Sequence, residues 1–134
     1  MSLKIKRSNA LISVGIISLF FWTSCEGGTF FTKTIDNKSS ETITVKLFTI
    51  YGDNNTVMIN SNEAKEIYWD DHIGSFVDEN YNCTEMIDSV VLSISSGKKL
   101  TKDIMNPDQW IRNSKGGRNA REDCVFTITN NDFQ

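Results

Sequence analysis

The segment 42–50 constrains the fold more than any other stretch of this chain. Ile43, Val45, Leu47 and Thr49 alternate there with Thr44, Lys46 and Phe48. A period of two sends successive side chains to opposite faces, which is the pattern of a half-buried β-strand. Gly52, Asp53, Asn54 and Asn55 follow, residues that tolerate turn geometry, and 56–60 reads as the hairpin partner.

Similar punctuation recurs along the chain. Residues 29–36, rich in Thr and Phe, predict a first strand closed by the turn Asn37-Lys38-Ser39-Ser40. Residues 63–69 predict another after Asn60-Ser61-Asn62. Residues 87–95 place Val90, Leu92 and Ile94 on one face and Ser89, Ser93 and Ser95 on the other. Ser96-Gly97 then turns the chain into a short strand at 98–101, and 124–129 closes the domain with Cys124, Phe126 and Ile128 on one side. One segment argues for a helix of one or two turns: Asn106 can cap it, Pro107 suits its first position, and Gln109 stands three residues after the cap. It ends near Arg112, with Trp110 and Ile111 facing the sheet. Six to seven short antiparallel strands and one short helix define an all-β class, a single β-sandwich, with a small barrel as the alternative.

The N-terminus carries an address. Lys4, Lys6 and Arg7 form a basic head, an apolar run follows from Ala10 to Trp22, and Thr23 and Ser24 lead into Cys25. These are the parts of a secretory signal peptide, and the run falls short of the roughly 20 apolar residues of a transmembrane helix. The sequence Trp22-Thr23-Ser24-Cys25 resembles the lipobox of bacterial lipoproteins, with Trp22 where a Leu is usual. The resemblance implies a signal peptide at 1–24, lipidation of Cys25, and a β-sandwich domain at 25–134 behind a short tether. The alternatives are an ordinary signal peptide cut near Ser24 and an uncleaved anchor. Two or more acyl chains hold a protein firmly to a membrane where one binds marginally. Glu26, next to the cysteine, resembles retention signals in some bacteria and surface-export signals in others.

The remaining 110 or so residues are a normal size for one domain. The leader takes three basic residues and no acids, leaving eleven basic against seventeen acidic residues and a formal charge near −6. Nucleic acids and anionic membrane surfaces attract basic patches, so neither is expected as a partner. With Cys25 lipidated, Cys83 and Cys124 form an even pair in an oxidising compartment, the alternative being two buried thiols. As a whole the chain resembles small bacterial lipoproteins that join a lipobox to one immunoglobulin-like β domain. That resemblance implies location and fold, a cell-envelope membrane with the outer membrane preferred, and no catalytic residues.

Two irregular segments hold most of the chemistry. The first, 70–86, carries Asp70, Asp71, His72, Asp78, Glu79 and Glu85 with Phe76 and Tyr81 among them, just after Tyr68 and Trp69. The second, 113–123, carries Lys115, Arg118 and Arg121 around Gly116-Gly117. A Cys83–Cys124 bond would hold the acidic loop beside the basic one. The candidate binding surface is therefore Trp69, Asp70, Asp71, Phe76, Tyr81, Arg118 and Arg121. Opposite charges could simply satisfy each other there. The aromatics could instead supply rigid contact area for a protein or glycan, or the carboxylates could hold calcium, although no EF-hand spacing is present.

Enzyme chemistry finds little support. His72 is the only histidine, which excludes a two-histidine zinc motif. No nucleophile elbow, phosphate loop or dinucleotide fingerprint occurs. Gly116-Gly117 reads as a flexible loop, the Asn-x-Ser/Thr triplets at Asn37, Asn54 and Asn82 as surface turns, and Asp88-Ser89-Val90 as a chance match to an O-glycan acceptor. No catalytic residue, metal or cofactor is assigned. The expectation is a lipid-anchored envelope lipoprotein that binds a protein or glycan. A structural subunit of an envelope complex and a periplasmic inhibitor or immunity protein are the alternatives.

Overall fold

The computed structural model describes residues 27–74 and 77–134. The leader, Cys25 and Phe76 lie outside the described residues. Seven strands form two sheets: β1 Gly28–Asn37, β2 Ile43–Thr49, β3 Asn54–Ile59, β4 Glu63–Ile73, β5 Ile87–Ile94, β6 Ile111–Lys115 and β7 Asn119–Ile128. One sheet has the order β4-β1-β7-β6 and the other β3-β2-β5. The expected β-sandwich is what forms.

One strand pair departs from the antiparallel expectation. β1 and β7 run parallel, from Gly28 opposite Asn119 to Asn37 opposite Ile128. Parallel neighbours need a long crossover, and here the whole intervening chain supplies it. The central pair of the larger sheet is thus the first strand and the last.

Four sequence expectations need correction. The helix is a single 3-10 turn, Pro107–Gln109, capped by the Asn106 side chain, which accepts from the Asp108 N–H. Trp110 stops it: its indole N–H donates to the Ile104 carbonyl at 2.8 Å and its ring lies 5.2 Å from Phe126. The chain leaves that anchor extended, so Ile111 begins β6 and points outward, 59% exposed. Residues 98–101 form no strand and contribute only the bridge Leu100–Phe133. Residues 113–123 are no loop but the greater part of the β6–β7 hairpin, with Asn113 opposite Asp123; Gly117 at φ +114° makes its turn. Finally, β4 runs on to Ile73, so residues 70–73 are strand.

The core follows the alternation. Ile35, Ile43, Val45, Leu47, Ile59, Ile67, Phe126 and Ile128 are fully buried between the sheets. At their end of the sandwich Asn37 closes the turn, its amide donating to the Glu41 and Asn60 carbonyls while its oxygen accepts from Ser39.

Candidate functional site

The opposite end of the sandwich is built differently, and a bulge in β4 is the cause. Lys33 pairs with Tyr68 but Thr34 pairs with Glu66, so Ile67 is an extra residue in β4. A β-bulge of this kind re-aims the side chains beyond it. Ile67 is buried, and from Tyr68 onward the inward positions become Tyr68, Asp70 and His72, opposite Lys33, Phe31 and Thr29. Trp69 and Asp71 take the outward positions, with Trp69 54% exposed. The bulged Ile67 carbonyl accepts from the Asn55 amide at 3.3 Å.

Lys33 is the central oddity. It lies on the inward face of β1 with no exposed surface. Its ammonium donates to the Tyr81 hydroxyl at 2.7 Å and lies 5.0 Å from the Tyr81 ring centroid and 5.3 Å from that of Tyr68. Burial disfavours the charged form and lowers its pKa from the ordinary 10.5 to about 8, with the nearby Glu85 charge opposing the shift. The same burial raises the phenol pKa of both Tyr68 and Tyr81, helped at Tyr68 by its hydrogen bond to Asp70 and at Tyr81 by the Glu85 charge.

Segment 77–86 folds over this end and is held at three points. Cys83 and Cys124 form the disulfide, with Cα atoms 5.6 Å apart. Tyr81 packs into the end, 5.0 Å from Phe31 and within hydrogen-bond reach of Lys33. Arg112 donates to the Asp78 and Glu79 carbonyls and lies 5.6 Å from the Tyr81 ring. Arg112 also grips Glu122 in a bidentate pair, both bonds 2.9 Å, and Ser114 donates to the same carboxylate. Glu122 is fully buried, and this pair is what makes its burial tolerable. Hydrogen bonding to Glu122 is also the main reason that the Arg112 pKa is raised.

Between β4 and the 77–86 segment lies a hollow of about 140 Å³ lined by Phe31, Tyr68, Asp70, His72, Asp78, Tyr81, Glu85 and Met86. Asp70 accepts from the Tyr68 hydroxyl at 3.1 Å and faces His72 Nε2 at 3.2 Å; the His72 ring meets Phe31 edge-on at 5.2 Å. On the other side of Tyr68 a shallower hollow of about 300 Å³ is bordered by Thr49, Asp53, Asn54, Asn55, Glu66 and Trp69. The Thr49 hydroxyl is buried there without a hydrogen-bond partner among the described residues.

The surface expected from the sequence is therefore divided. Asp70 and Tyr81 enter the smaller hollow, and Trp69 borders the larger. Asp71 is exposed on the outer side of β4, and Arg118 is exposed at the hairpin turn. Arg121 lies on the outer face and pairs with Asp123 of its own strand at 3.1 Å, while Asp123 also accepts from Thr32. Among the described residues, no ion pair joins the acidic segment to Lys115, Arg118 or Arg121, because alternation along β7 turns Arg121 away from the disulfide face. Arg112 makes the expected bridge instead, through backbone carbonyls.

Sequence reasoning missed Lys33, Tyr68 as a wall, Arg112 and Glu122. An available signal was Glu122 standing two residues before Cys124, the spacing that puts both on one face of a strand. Among the described residues no group of three or more His, Cys, Asp or Glu could hold a metal ion, and no helix is long and apolar enough to cross a membrane. Comparison with protein-family models, curated proteins and solved structures returns no match.

Proposed function

We propose that this chain is a non-catalytic binding module of the cell envelope, anchored by lipid at Cys25, that holds a protein or glycan at the Tyr68 end of the sandwich. The observation that carries this reading is the smaller hollow. Aromatic rings and a few polar groups converge on a preformed concavity, the usual make-up of a binding site. Its far wall is fastened by a disulfide, a buried pair and a lysine–tyrosine contact, so little ordering entropy remains to be lost on binding. The leader pattern and the resemblance of Trp22-Thr23-Ser24-Cys25 to a lipobox support the anchor. An acidic domain argues against nucleic acid as the partner.

The test compares partners cross-linked to the protein in envelope membranes of its own cells. Tyr68→Ala should lose the partner while Lys46→Ala, on the outer face of β2, keeps it. Undiminished capture by Tyr68→Ala in a folded protein would overturn the reading.

A glycan has its own support at the larger hollow. A buried hydroxyl without a partner costs about 1–3 kcal/mol, and a sugar hydroxyl beside Thr49 would satisfy it, with the exposed Trp69 ring as a platform. Thr49→Val should then weaken glycan binding while leaving the protein at least as stable. Glycan binding indifferent to Thr49→Val would remove this second reading.

A further inference from the structure

We infer that the smaller hollow receives an arginine side chain of a polypeptide partner, an inference that rests on the binding reading above and names the chemistry of the same site. Size is the first argument. At about 140 Å³ the hollow is well below the roughly 300–1,000 Å³ of sites that enclose a whole small molecule. It fits one side chain.

Charge is the second argument. Asp70, Asp78 and Glu85 line the hollow together with His72, and no lysine or arginine does so among the described residues. Asp70 already faces His72 and Tyr68, which leaves Asp78 and Glu85 as the acceptors that a partner can use. The nearest cations are committed behind Tyr81: Lys33 to its hydroxyl, Arg112 to Glu122 and two carbonyls. The opening therefore favours a cation.

The arrangement of the carboxylates then chooses among cations. Asp70 stands on β4 while Asp78 and Glu85 stand on the facing segment 77–86, and among the described residues no group of three such side chains could hold a metal ion. Separated acceptors around aromatic walls suit a guanidinium, whose five N–H donors point outward in a fixed plane and whose faces stack on rings. The fold already uses this contact once, with the Arg112 guanidinium 5.6 Å from the Tyr81 ring. A second guanidinium would lie in the hollow between the Phe31, Tyr68 and Tyr81 rings, with its stem against Met86.

The test titrates the ¹⁵N-labelled full chain with Nα-acetyl-arginine methylamide, followed by amide shifts. Saturable shifts at His72, Glu85 and Met86 with a Kd of order 1 mM are expected, the scale of a single-group ligand. The neutral isostere Nα-acetyl-citrulline methylamide should bind at least tenfold more weakly. Glu85→Gln and Asp78→Asn should each weaken the arginine probe about three- to fivefold by removing a charged acceptor, while Asp88→Asn on β5 changes nothing. Both substitutions fall on exposed side chains, and an unchanged spectrum will verify folding. Equal binding of the citrulline or lysine analogue, or indifference to both carboxylate changes, overturns the assignment. A silent arginine titration alongside loss of the native partner in Tyr68→Ala sinks this inference and leaves the binding reading standing. Retention of the partner in Tyr68→Ala sinks both.

Discussion

Toward the Asn37 end of the sandwich the inward residues of the two central strands are Ile35, Phe126 and Ile128, packed on Ile43, Val45 and Ile59, with Asn37 buried beyond them and fully hydrogen-bonded. Toward the Gly28 end the same two strands turn inward Thr29, Phe31 and Lys33, and Ala120, Glu122 and Cys124. The apolar end is what any half-buried sheet produces from alternation. The polar end encloses a lysine, a glutamate and the Tyr81 hydroxyl. It is stitched by a disulfide and a bidentate arginine because apolar packing alone would not hold it. Aliphatic packing is concentrated at one end, and the groups able to recognise a ligand are concentrated at the other.

Phe126→Ala should break the comparison most severely. It empties the centre of the apolar end and should cost about 3–5 kcal/mol in a denaturant titration. A loss below about 1 kcal/mol would show that the apolar end is not where the stability lies.

Removing the disulfide should cost somewhat less. Cys83 and Cys124 are 41 residues apart, and releasing a loop of this length typically removes about 2–4 kcal/mol. The loss should be uneven: hydrogen exchange should quicken first at Tyr81 and Glu85, while β2 amides stay protected. Uniform acceleration would mean that the two ends unfold as one unit.

Arg112→Ala leaves Glu122 buried and unpaired, and should cost about 2–3 kcal/mol because the arginine itself is partly exposed. Replacing both partners, Arg112→Met with Glu122→Gln, should recover most of that loss. Failure of the double variant to recover it would show that the Arg112 contacts to segment 77–86 matter more than the ion pair.

How legible each end was in the sequence follows from the same contrast. Period-two alternation reports which residues point inward, and for Ile43, Val45, Leu47, Phe126 and Ile128 it was sufficient. Cysteine arithmetic reached the disulfide from the even pair and the expected compartment. The site was legible only in part, as a neighbourhood of Asp70 and Tyr81. A register shift of one residue at Ile67 exchanges the two faces of β4, and nothing in Glu63–Ile73 announces the bulge. Lys33 reads as a surface residue in any hydrophobic pattern, because its burial depends on tyrosines 35 and 48 positions away. Residues 113–123 read as loop because their side chains are mostly polar, yet 113–115 and 119–123 are strand. β6 is an edge strand with one solvent-facing side, and β7 is shielded there by Glu122 and Asp123 pairing with Arg112, Thr32 and Arg121.

The most direct test of the contrast is the pH dependence of unfolding free energy for the wild type and Lys33→Met. The folded pKa of Lys33, about 8, lies below the ordinary 10.5. Between these values the unfolded chain binds more protons, so this group makes stability rise with pH. Above about pH 10 the raised pKa of Tyr68 and Tyr81 works the other way, since the unfolded tyrosines ionise first. The wild type should gain about 2 kcal/mol from pH 7.5 to 9.5. Lys33→Met should lack this rise, whatever the loss of the Lys33 hydrogen bond to the buried Tyr81 hydroxyl does to its stability at pH 7. A Lys33→Met protein that shows the same rise would contradict the claim that the polar end buries the Lys33 charge against stability.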